Sequence, residues 1–167
     1  MAISTEAIRE LRDRTGAGIM DVKRALDAAD GDMSKAENAL REKGISKAAS
    51  KADRSTTEGI VDSYIHAGGR VGALVEINCE TDFVARTPEF IDLAHNIAMQ
   101  ITAMAPEYVS KEDIPADEAR PPEEICLLEQ AFIKDTSKSI ADLILEVRAR
   151  VGENIQIKRI IRFGLGD

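Results

Sequence analysis

The sequence predicts an α+β protein: a three-helix module over residues 1–54, then a domain over residues 55–167 in which helices pack on a three-stranded antiparallel sheet. Three observations carry this. Apolar residues recur at helical spacing three times within the first 45 positions. Two alternating runs, 59–66 and 71–79, flank the turn Ala67-Gly68-Gly69-Arg70, as in a hairpin. A third alternating run, Ile155 to Phe163, follows a helical pattern near the end. With 167 residues the chain can bury a real core without disulfide or metal staples.

The elements follow in order. From Ser4 to Arg14, Ala7, Ile8 and Leu11 form a stripe, Ser4 or Thr5 can cap it, and Gly16 ends it. Ile19, Val22, Leu26 and Ala29 share the face of a second helix that Asp30-Gly31 breaks. Asp32 caps a third, with Met33, Ala36, Ala39 and Leu40 inward and Lys43-Gly44 closing it. Three such short helices can bury their stripes only against one another. The polar stretch from Ile45 to Thr57, with Lys43, Lys47 and Lys51 at four-residue intervals and Arg54 beyond, reads as a helical spacer, so the boundary is placed near Ser55.

In the second strand of the hairpin, Val71, Ala73, Val75, Ile77 and Cys79 point one way and Gly72, Leu74, Glu76 and Asn78 the other. Thr87-Pro88-Glu89 is a helix start: cap, proline at the first helical position, acid in the first turn. The helix carries Phe90, Leu93, Ala94, Ile97, Ile101 and Met104 on one face and should lie across the hairpin until Pro106. Residues 106–122 hold four of the five prolines and read as an irregular connection containing a short Glu107–Ser110 segment. Glu123 to Phe132 suits a brief helix or extended run, and Ser137 to Val151 a helix that Gly152 stops. In the last strand Ile155, Ile157 and Arg159 should alternate with Gln156, Lys158 and Ile160.

Composition excludes several functions. A net charge of -8 argues against a general affinity for nucleic acid, which needs a basic surface. Cys79 and Cys126 stand far apart without nearby histidine pairs, so neither a zinc site nor a disulfide framework is suggested. They read as buried thiols in a reducing compartment. His66 and His95 are too few for a metal site or a Ser/His/Asp array, and no cofactor is expected. No apolar run is long enough to span a membrane, and MAISTEAIRE carries acidic charge where a secretion signal would be basic, so a cytoplasmic protein is expected.

Two stretches stand out as candidate sites. Asn78 to Arg86 is a strand-to-helix corner near the surface, yet it carries Phe83 just after two acids. From pattern alone Phe83 either plugs a core edge or meets a partner. Glu80 and Asp82 could also be read as the acid/base pair of a small hydrolase, or as a solvated acidic turn. Beside the turn Thr15–Gly18, Arg12, Lys23 and Arg24 form either a basic edge or an ordinary solvated helix face. The Gly16-Ala17-Gly18 run is no phosphate loop, because no strand precedes it and no Gly-Lys-Ser/Thr follows.

Thr81-Asp82-Phe83-Val84-Ala85 resembles the TDFVA signature of the elongation factor Ts family, and Thr15 to Leu26, TGAGIMDVKRAL, resembles that family's TGAGMMDCKKAL run. Leu127 to Asp135, LLEQAFIKD, is similar to LLEQPFIKD with Ala131 in place of proline, and Gly152 to Phe163 resembles GENI followed by RRFxRF. The resemblance covers nearly the whole chain, in the short bacterial form of the family. It implies a ubiquitin-associated-like first module and a guanine-nucleotide exchange factor, not an enzyme, whose partner is elongation factor Tu. Thr81, Asp82, Phe83 and Val84 would then reach the partner's nucleotide domain and dislodge its Mg²⁺. Arg12, Ile19, Met20 and Lys23 would touch a helix of that domain, with Ile19 where the family usually has Met. The factor itself would bind no nucleotide, nucleic acid or membrane.

Two departures bear on these expectations. The charged helical segment that many relatives carry before LLEQ is absent, leaving Ala116 to Ile125 as a short bridge. Longer bacterial relatives carry two related core halves and this chain one, which suggests a homodimer through the α+β domain. The alternative to exchange is a non-catalytic adaptor that holds ubiquitin-like or other helical partners on its first module.

Overall fold

The computed structural model describes residues 3–167. Three helices open the chain: α1 (Thr5–Thr15), α2 (Ile19–Ala28) and α3 (Met33–Ala49). Ser4 caps α1 by accepting from Ala7 N at 3.1 Å, and Gly16, at φ 65°, closes it with its N–H on Arg12 O. Asp32 caps α3 by accepting from Lys35 N. Leu11, Val22, Leu26, Ala36 and Leu40 form the small core that these helices share.

The module departs from the sequence reading in three places. Ile19 leaves the apolar face of α2 and is 53% exposed, and Ala39 is exposed on α3. Most consequentially, α3 does not stop at Gly44 but runs on to Ala49. The reason is tertiary: α3 packs against α7 (Ile140–Val151), where a Cβ on Gly44 would sit 3.1 Å from that of Ala149, and Ala48 is buried farther along. A residue that reads locally as a helix stop here permits two helices to approach closely. The expected helical spacer is therefore partly the last turn and a half of α3.

The sheet comprises β1 (Glu58–Ile65), β2 (Val71–Cys79) and β5 (Ile155–Gly164), antiparallel in the order β1-β2-β5. The expected hairpin turn is present, and Gly68 and Gly69 take positive φ in it. The inward face of β2 is the expected one, with Ala73, Val75, Ile77 and Cys79 buried. In β5 the simple alternation fails. Glu76 pairs with Arg159 and Ile77 with Ile157, so Lys158 bulges out of register. The bulge reverses the phase: Ile155, Ile157 and then Ile160 turn inward, while Arg159 faces outward to bond Glu76 at 2.7 Å.

Helix α5 (Pro88–Met104) lies across β1 and β2 as the periodicity predicts, burying Phe90, Leu93, Ala94, Ile97 and Ile101; Met104 is 45% exposed. Thr87 caps it and Pro88 opens it. The connection after α5 is irregular but well bonded. Glu107 N and Tyr108 N both donate to Ile125 O, beside the short helix α6 (Pro122–Ile125). A hairpin unforeseen in the sequence follows, β3 (Ala131–Phe132) with β4 (Asp135–Ser139). It delays the start of α7 to Ile140, where Ser139 and Asp142 bond each other's backbone N–H in a capping box.

The main core gathers β2, α5, α7 and Ile155 of β5. Cys79 is buried in it and Cys126 is buried outside it; both are free thiols, and desolvation pushes that of Cys79 up to about 11. The opposite face of the sheet is uncovered: Val61, Ile65, Leu74, Ile161 and Phe163 are all exposed there.

Candidate partner-binding site

The corner after β2 holds one turn of helix, α4 (Asp82–Ala85). Thr81 Oγ1 caps it by accepting from Val84 N at 3.4 Å. Successive residues on so short a helix diverge: Val84 and Ala85 enter the core at 8% and 6% exposure, whereas Phe83 stands 82% exposed. The core-plug reading of Phe83 is thereby excluded. Val84 is the plug, and Phe83 is what the plug presents.

The backbone beneath Phe83 is held from outside the corner. Glu153, in the loop between α7 and β5, accepts from Glu80 N at 3.1 Å, Thr81 N at 3.0 Å and Thr81 Oγ1 at 2.6 Å. Glu80 in turn accepts from Asn154 N at 2.7 Å and faces Arg54 at 3.4 Å. The Cys79 thiol donates to Thr81 O from below. Asp82 pairs with Arg86 one turn on, at 2.9 Å. Both acids of the supposed hydrolase pair are thus engaged with cations or backbone N–H, which leaves neither placed as a general base. Among the described residues no cluster could hold a metal ion.

The second candidate site lies on the helical module. Met20 is 65% exposed beside Ile19 in the first turn of α2, whose N-cap, Gly18, offers no side chain. Arg12, Ile19, Met20 and Arg24 share the rim of a shallow cavity of about 400 Å³. Lys23 is exposed on α2 but does not line it. Arg24 is tied to Asp21 at 2.7 Å, while Arg12 and Lys23 form no ion pair among the described residues. Lys43 and Lys47 on α3 also reach Asp21 and hold its carboxyl down at about 2. Of the three cations that could form a basic edge, Arg12 and Lys23 are without an ion pair among the described residues, beside exposed Ile19 and Met20.

Sequence reasoning missed Glu153 and Asn154 as parts of the corner. They lie more than seventy residues from it, and what marks them in the sequence is their place directly after a helix-ending glycine, within the GENI-like stretch.

Comparison with known proteins relates the chain to a family. The family model described as Elongation factor TS matches residues 33–123. Elongation factor Ts of Carboxydothermus hydrogenoformans is 49% identical over 99% of this chain and 90% of its own length. That of Syntrophomonas wolfei is also 49% identical, covering 99% and 91%, and that of Thermoanaerobacter sp. strain X514 is 47% identical, covering 99% and 96%. These alignments span 195 positions against 167 residues in the chain, so the relatives carry residues with no counterpart in it.

Proposed function

The chain belongs to the elongation factor Ts family of translation elongation factors, and from that premise we propose that it is a guanine-nucleotide exchange factor acting on elongation factor Tu. The observation that carries the reading is Phe83, an aromatic 82% exposed on a backbone fixed by a cap, a buried neighbour and three hydrogen bonds to Glu153. A large aromatic displayed on a fixed backbone is the kind of side chain that acts as an anchor when a partner buries it.

In this reading Phe83 enters the nucleotide domain of elongation factor Tu and shifts the elements that hold Mg²⁺, so that GDP leaves. Thr81 and Val84 set the backbone, one as cap and one as anchor. Asp82 steadies the turn with Arg86 and meets the partner's rim. Arg12, Ile19, Met20 and Lys23 grip the same domain from a module bounded near Ser55. No covalent bond is made or broken by the factor, and it holds no nucleotide of its own. The work is done in the cytoplasm, where translation takes place.

Magnitude divides the labour. Burying one Phe contributes roughly 1.5–3 kcal/mol, at best about a hundredfold in nucleotide affinity at 1.4 kcal/mol per tenfold. Any larger weakening of GDP must draw on the module and on the rest of the domain. By linkage, GDP must weaken binding of the factor by the same ratio.

A homodimer belongs to the same reading. The outer face of the sheet exposes Val61, Ile65, Leu74, Ile161 and Phe163 side by side, and a second copy would cover it by two-fold packing. Release of labelled GDP from elongation factor Tu, with and without the chain, tests the exchange activity. Acceleration is expected, and an unchanged rate at saturating chain refutes the reading. Light scattering at tens of micromolar should return twice the chain mass; a monomer there refutes the dimer alone.

A further inference from the structure

We propose that Glu153 is a positioning residue for exchange: its carboxylate locks the corner that presents Phe83, and the adjacent Asn154 ties that lock to the linker leaving the helical module. This rests on the reading of Phe83 as the group that acts on the partner.

The geometry is that of a clasp. Helix α4 is a single turn and cannot hold its own orientation, because so short a helix satisfies few of its backbone groups. Glu153 supplies what is missing. One oxygen receives Glu80 N and Thr81 N, and the other receives Thr81 Oγ1, the same hydroxyl that caps α4. Bonds to an ionised carboxylate are the stronger kind. Two adjacent residues of one chain direction are thus pinned together with the cap, which fixes both the position and the tilt of the turn.

Asn154 acts on the other side. It is fully buried, and its Nδ2 donates to Ala52 O at 2.8 Å and Arg54 O at 2.7 Å. Its backbone N–H meets Glu80. Lys51 donates to Gly152 O in the same loop, and Arg54 returns to Glu80. One loop therefore holds the end of the module's linker and the base of the corner at once. Displacing either should be felt by the other, since the groups between them are bonded and partly withdrawn from water.

The structure supplies its own reporter. Cys79 lies under the corner, buried, with its thiol on Thr81 O; Cys126 is equally buried but bonds Val109 O, away from the corner. In full-length Glu153→Ala, alkylation of Cys79 by iodoacetamide should quicken about fivefold or more while Cys126 keeps its wild-type rate, because the opening is local. GDP release from elongation factor Tu should slow about tenfold, with little further loss when Glu153→Ala is combined with Phe83→Ala. Equal quickening at both cysteines, or at neither, overturns the proposal, as does an equal slowing of release with and without Phe83. Wild-type release by Phe83→Ala alone would refute the Phe83 reading instead, and the cysteine ratio would still decide whether Glu153 locks the corner. Should Glu153→Ala not fold, Glu153→Gln keeps one acceptor oxygen of two and should show the same pattern, smaller; wild-type values there overturn the proposal.

Discussion

Phe83 and the pair Ile19–Met20 are both displayed to solvent, at 82% against 53% and 65%, but what stands behind them differs. Behind Phe83 are a buried Val84 and Ala85, a capped turn, and a carboxylate brought from the far end of the domain. Behind Ile19 and Met20 are only the start of α2, an uncapped glycine and a core of five buried side chains. The main core, by comparison, spans β2, α5 and α7. A side chain that must push on a partner needs a base that does not yield. A surface that only adheres can ride on the end of a helix. On the proposed reading the two regions suit these different duties, and the difference can be tested by attacking each base and each surface in turn.

The largest effect should come from the weaker core. Leu26→Ala removes one of five buried residues and should cost about 2–5 kcal/mol. Amide hydrogen exchange should then quicken throughout α1 and α2 while α5 keeps its protection. If α5 loosens equally, the two regions unfold as one unit and the comparison breaks. Next comes Phe83, the side chain proposed to act on the partner. Phe83→Ala should slow catalysed GDP release by at least about tenfold without lowering the melting temperature, since the ring touches solvent and not the core. A variant that melts early yet exchanges normally per folded molecule would make Phe83 structural.

Smaller effects sharpen the contrast. Ile19→Ser with Met20→Ser should weaken association with elongation factor Tu by roughly 1–2 kcal/mol, on the scale of partly burying two aliphatic side chains. Unchanged affinity in a titration would remove this surface from the interface. Smallest of all is Asp82→Ala. Its carboxylate pairs with Arg86 four residues on, half in solvent, and exposed pairs of this kind contribute about 0.3–0.5 kcal/mol. Exchange should fall no more than about threefold. A loss equal to that of Phe83→Ala would make the carboxylate the main actor.

What could be read from the sequence was what is decided locally. The faces of β2, the Thr87-Pro88 start of α5 and the hairpin glycines all follow from period, cap and turn chemistry within a few residues. The errors share the opposite cause. Gly44 lies inside α3 because of Ala149, more than a hundred residues away. Lys158 bulges where Glu76 pairs with Arg159 and Ile77 with Ile157, a register set between strands distant in sequence. The β3–β4 hairpin was illegible because Asp135–Ser139 has no apolar alternation to announce it. At the site, pattern alone left Phe83 undecided between core and surface; the resemblance of the residues around it suggested surface, and its 82% exposure settles that point. Glu153 lies in the GENI-like stretch, but nothing local ties it to the corner, since its partners are distant in sequence.

The central claim is that Phe83 acts and the module holds. It is tested most directly by titrating the chain into elongation factor Tu loaded with fluorescent GDP and recording release in stopped flow for wild type, Phe83→Ala and the Ile19→Ser, Met20→Ser variant. The account predicts that Phe83→Ala lowers the release rate reached at saturation by at least about tenfold and leaves the half-saturating concentration nearly where it was. The module variant should do the reverse, raising the half-saturating concentration and reaching the wild-type plateau. If both variants shift the midpoint and spare the plateau, Phe83 is one more adhesive contact and the claim is wrong.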